Sequence, residues 1–182
     1  MRTAGPGEQA KVLLVDDRSD NLLALQAILQ GMAVQTVAVN SGEAALKQLL
    51  VDEYALILLD AYMPGMSGFE AATHIKGRER TRHIPIIFLT AADRDASMAL
   101  RGYAAGAVDY LTKPLDPWIL RAKVSVFIEM WAQNRQIQRQ AEQVSAYAEA
   151  ARTALAALRG DDVARAAEIL EAAQGLQART SR

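Results

Sequence analysis

The chain has no cysteine. That excludes a disulfide framework, a thiolate zinc site and a cysteine nucleophile. It has little net charge, 20 Lys and Arg against 21 Asp and Glu, which argues against wholesale nucleic-acid binding. It has no apolar run long enough to span a bilayer. Residues Met1 to Ala10 are mostly polar or small, contain Gly5-Pro6-Gly7 and lack the apolar core of a signal peptide. There is no Gly-x-Gly-x-x-Gly or Walker pattern: Gly65, Gly68, Gly102 and Gly106 read as turn and cap residues. What remains is a 182-residue chain, half of it apolar. That is enough for one core domain with an appendage, and the expected location is the cytoplasm.

Strands and helices alternate along the first two thirds. Val12-Leu13-Leu14-Val15 is a continuous apolar run that predicts a central strand, closed by Asp16 and Asp17. Ser19 is expected to cap a helix carrying Leu22, Leu25, Ile28 and Leu29, stopped at Gly31. Val34 to Val39 is β-prone. Ser41 and Gly42 open a second helix with Ala45, Leu46, Leu49 and Leu50. Tyr54 to Asp60 predicts a third strand, followed by the loop Ala61 to Ser67 and a helix from Gly68 to about Lys76.

Ile84 to Leu89 predicts a fourth strand ending at Thr90, and Asp93 to Ala105 a fourth helix. Ala107 to Leu111 is a weaker fifth strand, followed by Thr112-Lys113-Pro114. Asp116-Pro117 is a strong start for a fifth helix. The short connections require parallel strands with right-handed crossovers and helices on both faces. The expected fold is therefore α/β, a doubly wound five-stranded parallel sheet in flavodoxin-like order.

No Gly or Pro occurs from Trp118 to Arg159, so the fifth helix is expected to run on beyond the domain. Phe127, Met130, Asn134, Ile137, Ala141, Val144, Ala148, Ala151, Leu155 and Leu158 follow steps of three and four, a heptad seam. A seam of this kind pairs with a second copy as a coiled coil or dimeric bundle, or packs back on its own domain. Gly160-Asp161-Asp162 breaks the helix, and Val163 to about Gly175 predicts a short terminal helix with a frayed end from Gln177. The organisation expected is a flexible residue 1–9 segment, a domain over 10–130, a long helix over 131–159 and a short terminal helix within 160–182.

The chemistry gathers at strand ends. Asp16 and Asp17 follow the first strand, Asp60 the third, Thr90 the fourth and Lys113 the fifth. In open parallel sheets ligands bind in the crevice beyond those ends. An aspartate at a strand end also serves as a turn residue, so Asp60 alone says little. Three carboxylates on one rim repel each other and remain ionised together only around a cation. Oxygen donors suit Mg²⁺ or Ca²⁺, and carboxylates with water suit octahedral Mg²⁺. A lysine and a hydroxyl beside them are built to stabilise phosphoryl oxygens, with one carboxylate as nucleophile forming an acyl phosphate.

The ordered set Val15-Asp16-Asp17, Asp60-Ala61-Tyr62-Met63-Pro64-Gly65-Met66-Ser67-Gly68, Leu89-Thr90-Ala91 and Leu111-Thr112-Lys113-Pro114 resembles the receiver domain of two-component response regulators. The resemblance covers about residues 10–130. It implies that Asp60 is the phosphoacceptor. Asp17 and Asp60 would ligate Mg²⁺ with the backbone carbonyl of Tyr62, and Asp16 would act mainly through water. Lys113 would contact the phosphoryl group. Thr90 would be the switch hydroxyl, Tyr110 the aromatic whose rotamer follows it, and Pro114 would follow a cis peptide. Tyr62 and Ala92 occupy the positions that tune acyl-phosphate lifetime, and a bulky Tyr62 implies a long-lived phosphate.

His74 and His83 are followed by isoleucines rather than acids and read as surface histidines. Arg78, Arg80 and Arg82 read as a solvated loop. Trp118 and Trp131 read as packing anchors. The tail leaves no room for a catalytic output domain and shows no helix-turn-helix, so no DNA-binding domain is expected. The partners implied are a histidine kinase or histidine phosphotransfer protein, together with a second copy of the chain through the long helix. The alternatives are a phosphorelay intermediate, or the receiver portion of a larger sensor kinase or phosphatase; Asn21 to Leu25 and Gly106 to Tyr110 resemble receivers of the last kind.

Overall fold

A computed structural model describes residues 9–91, 108–159 and 162–180. The elements are β1 Ala10–Val15, α1 Ser19–Leu29, β2 Val34–Val39, α2 Gly42–Val51, β3 Leu56–Asp60, α3 Gly68–Gly77, β4 Ile86–Ala91, β5 Asp109–Lys113, α4 Pro117–Arg159 and α5 Val163–Thr180. The helix expected at 93–105 and the position Ala92 lie outside the described residues. The chain divides into two compact units, Met1–Ala132 and Gln133–Arg182.

In the first unit the five strands form one sheet in the order β2-β1-β3-β4-β5, every pairing parallel. This is the flavodoxin-like order, with a switch point between β1 and β3. Alternation along the strands sorts the apolar residues into two cores. Leu13, Val15, Ile57, Leu59, Ile86 and Phe88 pack with Ala45 and Leu49 of α2 and Ala71 and Ile75 of α3. Val12, Leu14, Leu58, Ile87 and Leu89 pack with Leu22, Leu25 and Leu29 of α1 and Leu120 and Val124 of α4. The strands of the sheet centre are buried on both faces, which is why they read as unbroken apolar runs.

The helix starts are chemically explicit. Ser41 Oγ accepts the Ala44 N–H at 3.2 Å, and Asp116 Oδ1 accepts the N–H groups of Trp118 and Ile119 at 2.8 and 3.2 Å. Ser67 and Glu70 form a capping box at the start of α3. Ser19 is not the cap of α1: Arg18 holds that place, and Ser19 is the first helical residue. The Asp16 carboxylate does the local work instead, its Oδ1 accepting the Arg18 N–H at 3.0 Å. At the other end of α1, Arg121 Nη1 donates to the carbonyls of Ile28 and Gln30 at 2.8 and 3.0 Å. A cation there satisfies carbonyls that have no partner within the helix. Arg80 does the same for the Leu50 carbonyl at the end of α2.

Two packing expectations change. Trp118 is 84 % exposed, because at the start of α4 the inward-facing positions go to Leu120 and Val124; Trp131 is half-buried. Phe127 packs against the α1-side core, so it belongs to the domain rather than to a free seam. His74 and His83 are exposed, as expected.

In the second unit α4 continues to Arg159 and α5 spans Val163–Thr180. Asp162 caps α5, its Oδ1 accepting the Arg165 N–H at 3.0 Å. The terminal helix passes Gly175, where the sequence predicted its end. Ala154, Ala166 and Ala173 are buried, while Ile137, Val144, Leu155 and Leu158 stay exposed.

Candidate functional site

The site sits at the C-terminal ends of β1, β3, β4 and β5. Asp60 ends β3, paired in register with Leu89, and the Ala61 N–H donates to the Leu89 carbonyl at 3.0 Å. Asp16 continues β1, its N–H donating to Val39 at 3.3 Å. Lys113 ends β5 in register with Ala91, one residue beyond Thr90. The Lys113–Pro114 peptide is cis.

Asp16, Asp17 and Asp60 come together: one carboxylate oxygen from each lies within 4.8 Å of the others. Asp16 is fully buried and Asp60 is 7 % exposed, whereas Asp17 is exposed. Lys113 joins the two buried acids, its Nζ 2.7 Å from Asp16 Oδ2 and 3.1 Å from Asp60 Oδ2. Burial pushes the Asp60 carboxyl pKa up; Lys113 and the Tyr62 N–H pull it down, and the Asp16 charge pushes it up again. The balance is upward. One lysine does not neutralise three acids, so a further positive charge is accommodated rather than opposed. An all-oxygen donor set with one solvent-facing carboxylate fits a hard cation that keeps water ligands, as Mg²⁺ does.

The loop after Asp60 is held close to it. The Tyr62 N–H donates to Asp60 Oδ1 at 3.4 Å, and the Gly68 N–H donates to the Ala61 carbonyl at 3.1 Å. A Cβ at Gly68 would sit 2.0 Å from the Asp60 carbonyl oxygen, so only glycine lets α3 start this near the acid. Gly65 has φ +75°, the left-handed conformation that glycine takes without strain. The Tyr62 ring stands edge-on to Phe69, with centroids 6.2 Å apart, and Phe69 in turn lies 4.7 Å from Phe88. Thr90 is half-buried at the end of β4, on the same rim. Tyr110, on edge strand β5, is 44 % exposed.

In the sequence Asn21 stands out only through the resemblance carried by Asn21 to Leu25. The structure puts it into the site: its amide nitrogen donates to Asp16 Oδ1 at 2.8 Å and Oδ2 at 3.0 Å. The available signal was positional, since a residue in the first turn of α1 sits above the acids that end β1.

A parallel sheet with an acid triad and a lysine at the crevice beyond its strand ends defines the class: a CheY-like receiver. The chain belongs to the response regulator receiver domain family, whose sequence model matches residues 12–125. It is a receiver domain of two-component signalling. It is 38% identical over 115 residues to response regulator PleD of Caulobacter vibrioides, covering 63% of this chain and 25% of PleD. It is 39% identical over 110 residues to the sensor histidine kinase GacS of Pseudomonas protegens, covering 58% of this chain and 12% of GacS. The structure of the Vibrio cholerae chemotaxis protein CheY4 superposes with a TM-score of 0.62 at 27% identity, over 66% of this chain and 99% of that one. The chain thus spans a quarter or less of these two curated relatives. Among the described residues no helix is long and apolar enough to cross a membrane.

Proposed function

We propose that the protein is a two-component response regulator that accepts a phosphoryl group on Asp60 from a histidine kinase or histidine phosphotransfer protein in the cytoplasm. The observation that carries this reading is Lys113 poised between Asp60 and Asp16 beside a third carboxylate. An Asp60 carboxylate oxygen attacks the phosphorus of a phosphohistidine. The O–P bond forms, the P–N bond breaks, and the imidazole nitrogen leaves with the bonding pair. The product on the protein is an acyl phosphate. Lys113 offers its charge to a phosphoryl oxygen, at the cost of its contact with Asp60. Asp17, Asp60 and the Tyr62 carbonyl would hold Mg²⁺ directly and Asp16 through water; when bound, the ion supplies positive charge beside the phosphoryl oxygens. Thr90 is the switch hydroxyl and Tyr110 the aromatic that follows it. Beyond these self-catalysed steps no enzyme activity is assigned.

The output is a change in association. Met130, Ile137, Val144, Leu155 and Leu158 lie exposed along α4 at the seven-residue spacing and offsets of a heptad seam. A second copy covers this stripe, as a coiled coil or helical bundle, and phosphorylation alters that pairing or the partner it recruits. The match to a receiver region within the longer PleD and GacS supports one alternative, the receiver portion of a larger sensor kinase or phosphatase protein. A relay that returns phosphate to another histidine protein would show rapid loss of label to that protein.

The test is light scattering behind size exclusion, with and without Mg²⁺ and beryllofluoride, which stands in for the phosphoryl group on Asp60. The expected result is a dimer whose mass or shape changes with beryllofluoride. A monomer in both states contradicts the pairing through α4. An unchanged dimer makes the helix a constitutive scaffold.

A further inference from the structure

Asp16 is a carboxylate with no exposed surface, in a setting where burial of an ion is costly unless every lone pair is occupied. Its partners are specific. Oδ1 accepts the Arg18 N–H at 3.0 Å and the Asn21 amide at 2.8 Å. Oδ2 accepts the same Asn21 amide at 3.0 Å and Lys113 Nζ at 2.7 Å. Among the described residues Asn21 is therefore the one side chain that grips both oxygens. It also lines a small cleft of about 180 Å³ together with Asp16, Leu25, Lys113 and Leu115.

This geometry fixes two things at once. The plane of the Asp16 carboxylate is set by a two-oxygen contact from a helix that is itself anchored by Leu22, Leu25 and Leu29. And a neutral donor carries part of the compensation for the buried charge. Lys113 then needs to give Asp16 only one contact and can reach Asp60 Oδ2 at 3.1 Å with the same ammonium. Without the amide, Asp16 keeps, among the described residues, Lys113 and the Arg18 N–H, and the lysine is drawn wholly onto it. A cation entering the site would have to compete with that tightened pair.

We propose that Asn21 is a positioning residue of the receiver site, holding Asp16 so that Lys113 is shared with Asp60. The inference rests on the reading of Asp16, Asp17 and Asp60 as a cation and phosphoryl site, and adds a residue to it. Partners of this kind around metal-binding carboxylates are commonly worth a factor of about ten to a hundred in affinity.

The experiment is a calorimetric titration of the full chain with Mg²⁺, for the parent and for Asn21→Leu, Asn21→Ala and Asn21→Gln. Asn21→Leu keeps the approximate shape and removes the donor; Asn21→Ala removes the donor without adding bulk; Asn21→Gln keeps an amide. The expected result is Mg²⁺ binding weakened by about tenfold in both donor-free variants, with Asn21→Gln recovering to within a few-fold of the parent. Binding within twofold of the parent in both donor-free variants overturns the proposal. So does equal weakening in all three variants, which reports packing rather than donation. A parent that binds no Mg²⁺ removes the functional reading itself, an outcome distinct from the other two.

Discussion

Loss of Lys113 should change both the stability of this fold and its response to cations. Its ammonium sits 2.7 Å from one buried carboxylate and 3.1 Å from another. At an effective dielectric of 20, each such contact corresponds to about 5–6 kcal/mol of attraction. Most of that is offset by the desolvation that burying an ammonium costs. What Lys113→Met leaves behind is the repulsion between Asp16 and Asp60. With an oxygen of each no more than 4.8 Å from the other, this amounts to at least about 3 kcal/mol at the same dielectric. Removing one partner of a buried pair costs about 3–5 kcal/mol, so the two routes agree on about 3 kcal/mol.

For a unit of this size that is a fall in melting temperature of about 10 °C. The assay is thermal melting followed by circular dichroism, with chelator and with saturating Mg²⁺. With chelator at pH 8 the variant should melt well below the parent, and the gap should narrow as acid protonates the carboxylates. Saturating Mg²⁺ should return most of the loss, because an ion that binds only the folded chain stabilises it by mass action, and the variant offers it a more negative site. A loss under about 0.5 kcal/mol with chelator, the size of an ordinary surface substitution, or a gap that does not move with Mg²⁺, would refute the reasoning.

Asp60→Asn tests the same electrostatics from the other side. Burial raises the Asp60 pKa in the folded chain, so the folded state's advantage is full below the unfolded carboxylate pKa and declines as pH rises through the folded one. The asparagine variant, which does not ionise, should therefore melt above the parent at neutral pH without cation, and the difference should vanish in acid. Gly68→Ala should lower stability by about 2 kcal/mol or more in denaturant titrations, because its Cβ would meet the Asp60 carbonyl oxygen at 2.0 Å. Tyr62→Asn should shorten the lifetime of the acyl phosphate, followed as loss of label in Mg²⁺, if the ring propped on Phe69 hinders the attacking water; an unchanged rate of loss counts against that role.

The sheet was legible because β1, β3 and β4 are buried on both faces, and such strands announce themselves as apolar runs ending in polar residues. The placement of Asp16, Asp17, Asp60 and Lys113 followed from topology alone, since a parallel sheet brings every strand's C-terminal end to one rim. Details that depend on which way a side chain faces were not legible. Trp118 is apolar and near a domain core, yet it occupies an outward position at a helix start. Ser19 is a good capping residue by type, but Asp16, five residues before Asn21, already supplies the local hydrogen bonds. Gly175 predicted a helix end, but a glycine costs a helix only about 1 kcal/mol relative to alanine, and its neighbours Ala172, Ala173, Leu176 and Gln177 favour helix. Of the grip of Asn21 on both oxygens of Asp16 only the position in the first turn of α1 was legible, because the contact itself depends on the rotation of α1 over β1.

The proposed function requires that Asp60 carry the phosphoryl group. The most direct measurement is to incubate the full chain with acetyl phosphate and Mg²⁺, reduce the product with borohydride, and locate the modified residue by peptide mass spectrometry. Borohydride converts an aspartyl phosphate to homoserine, so homoserine is expected at position 60, dependent on Mg²⁺ and absent from the Asp60→Asn variant. Homoserine at another aspartate, or none at any position while the parent chain binds Mg²⁺, would contradict it.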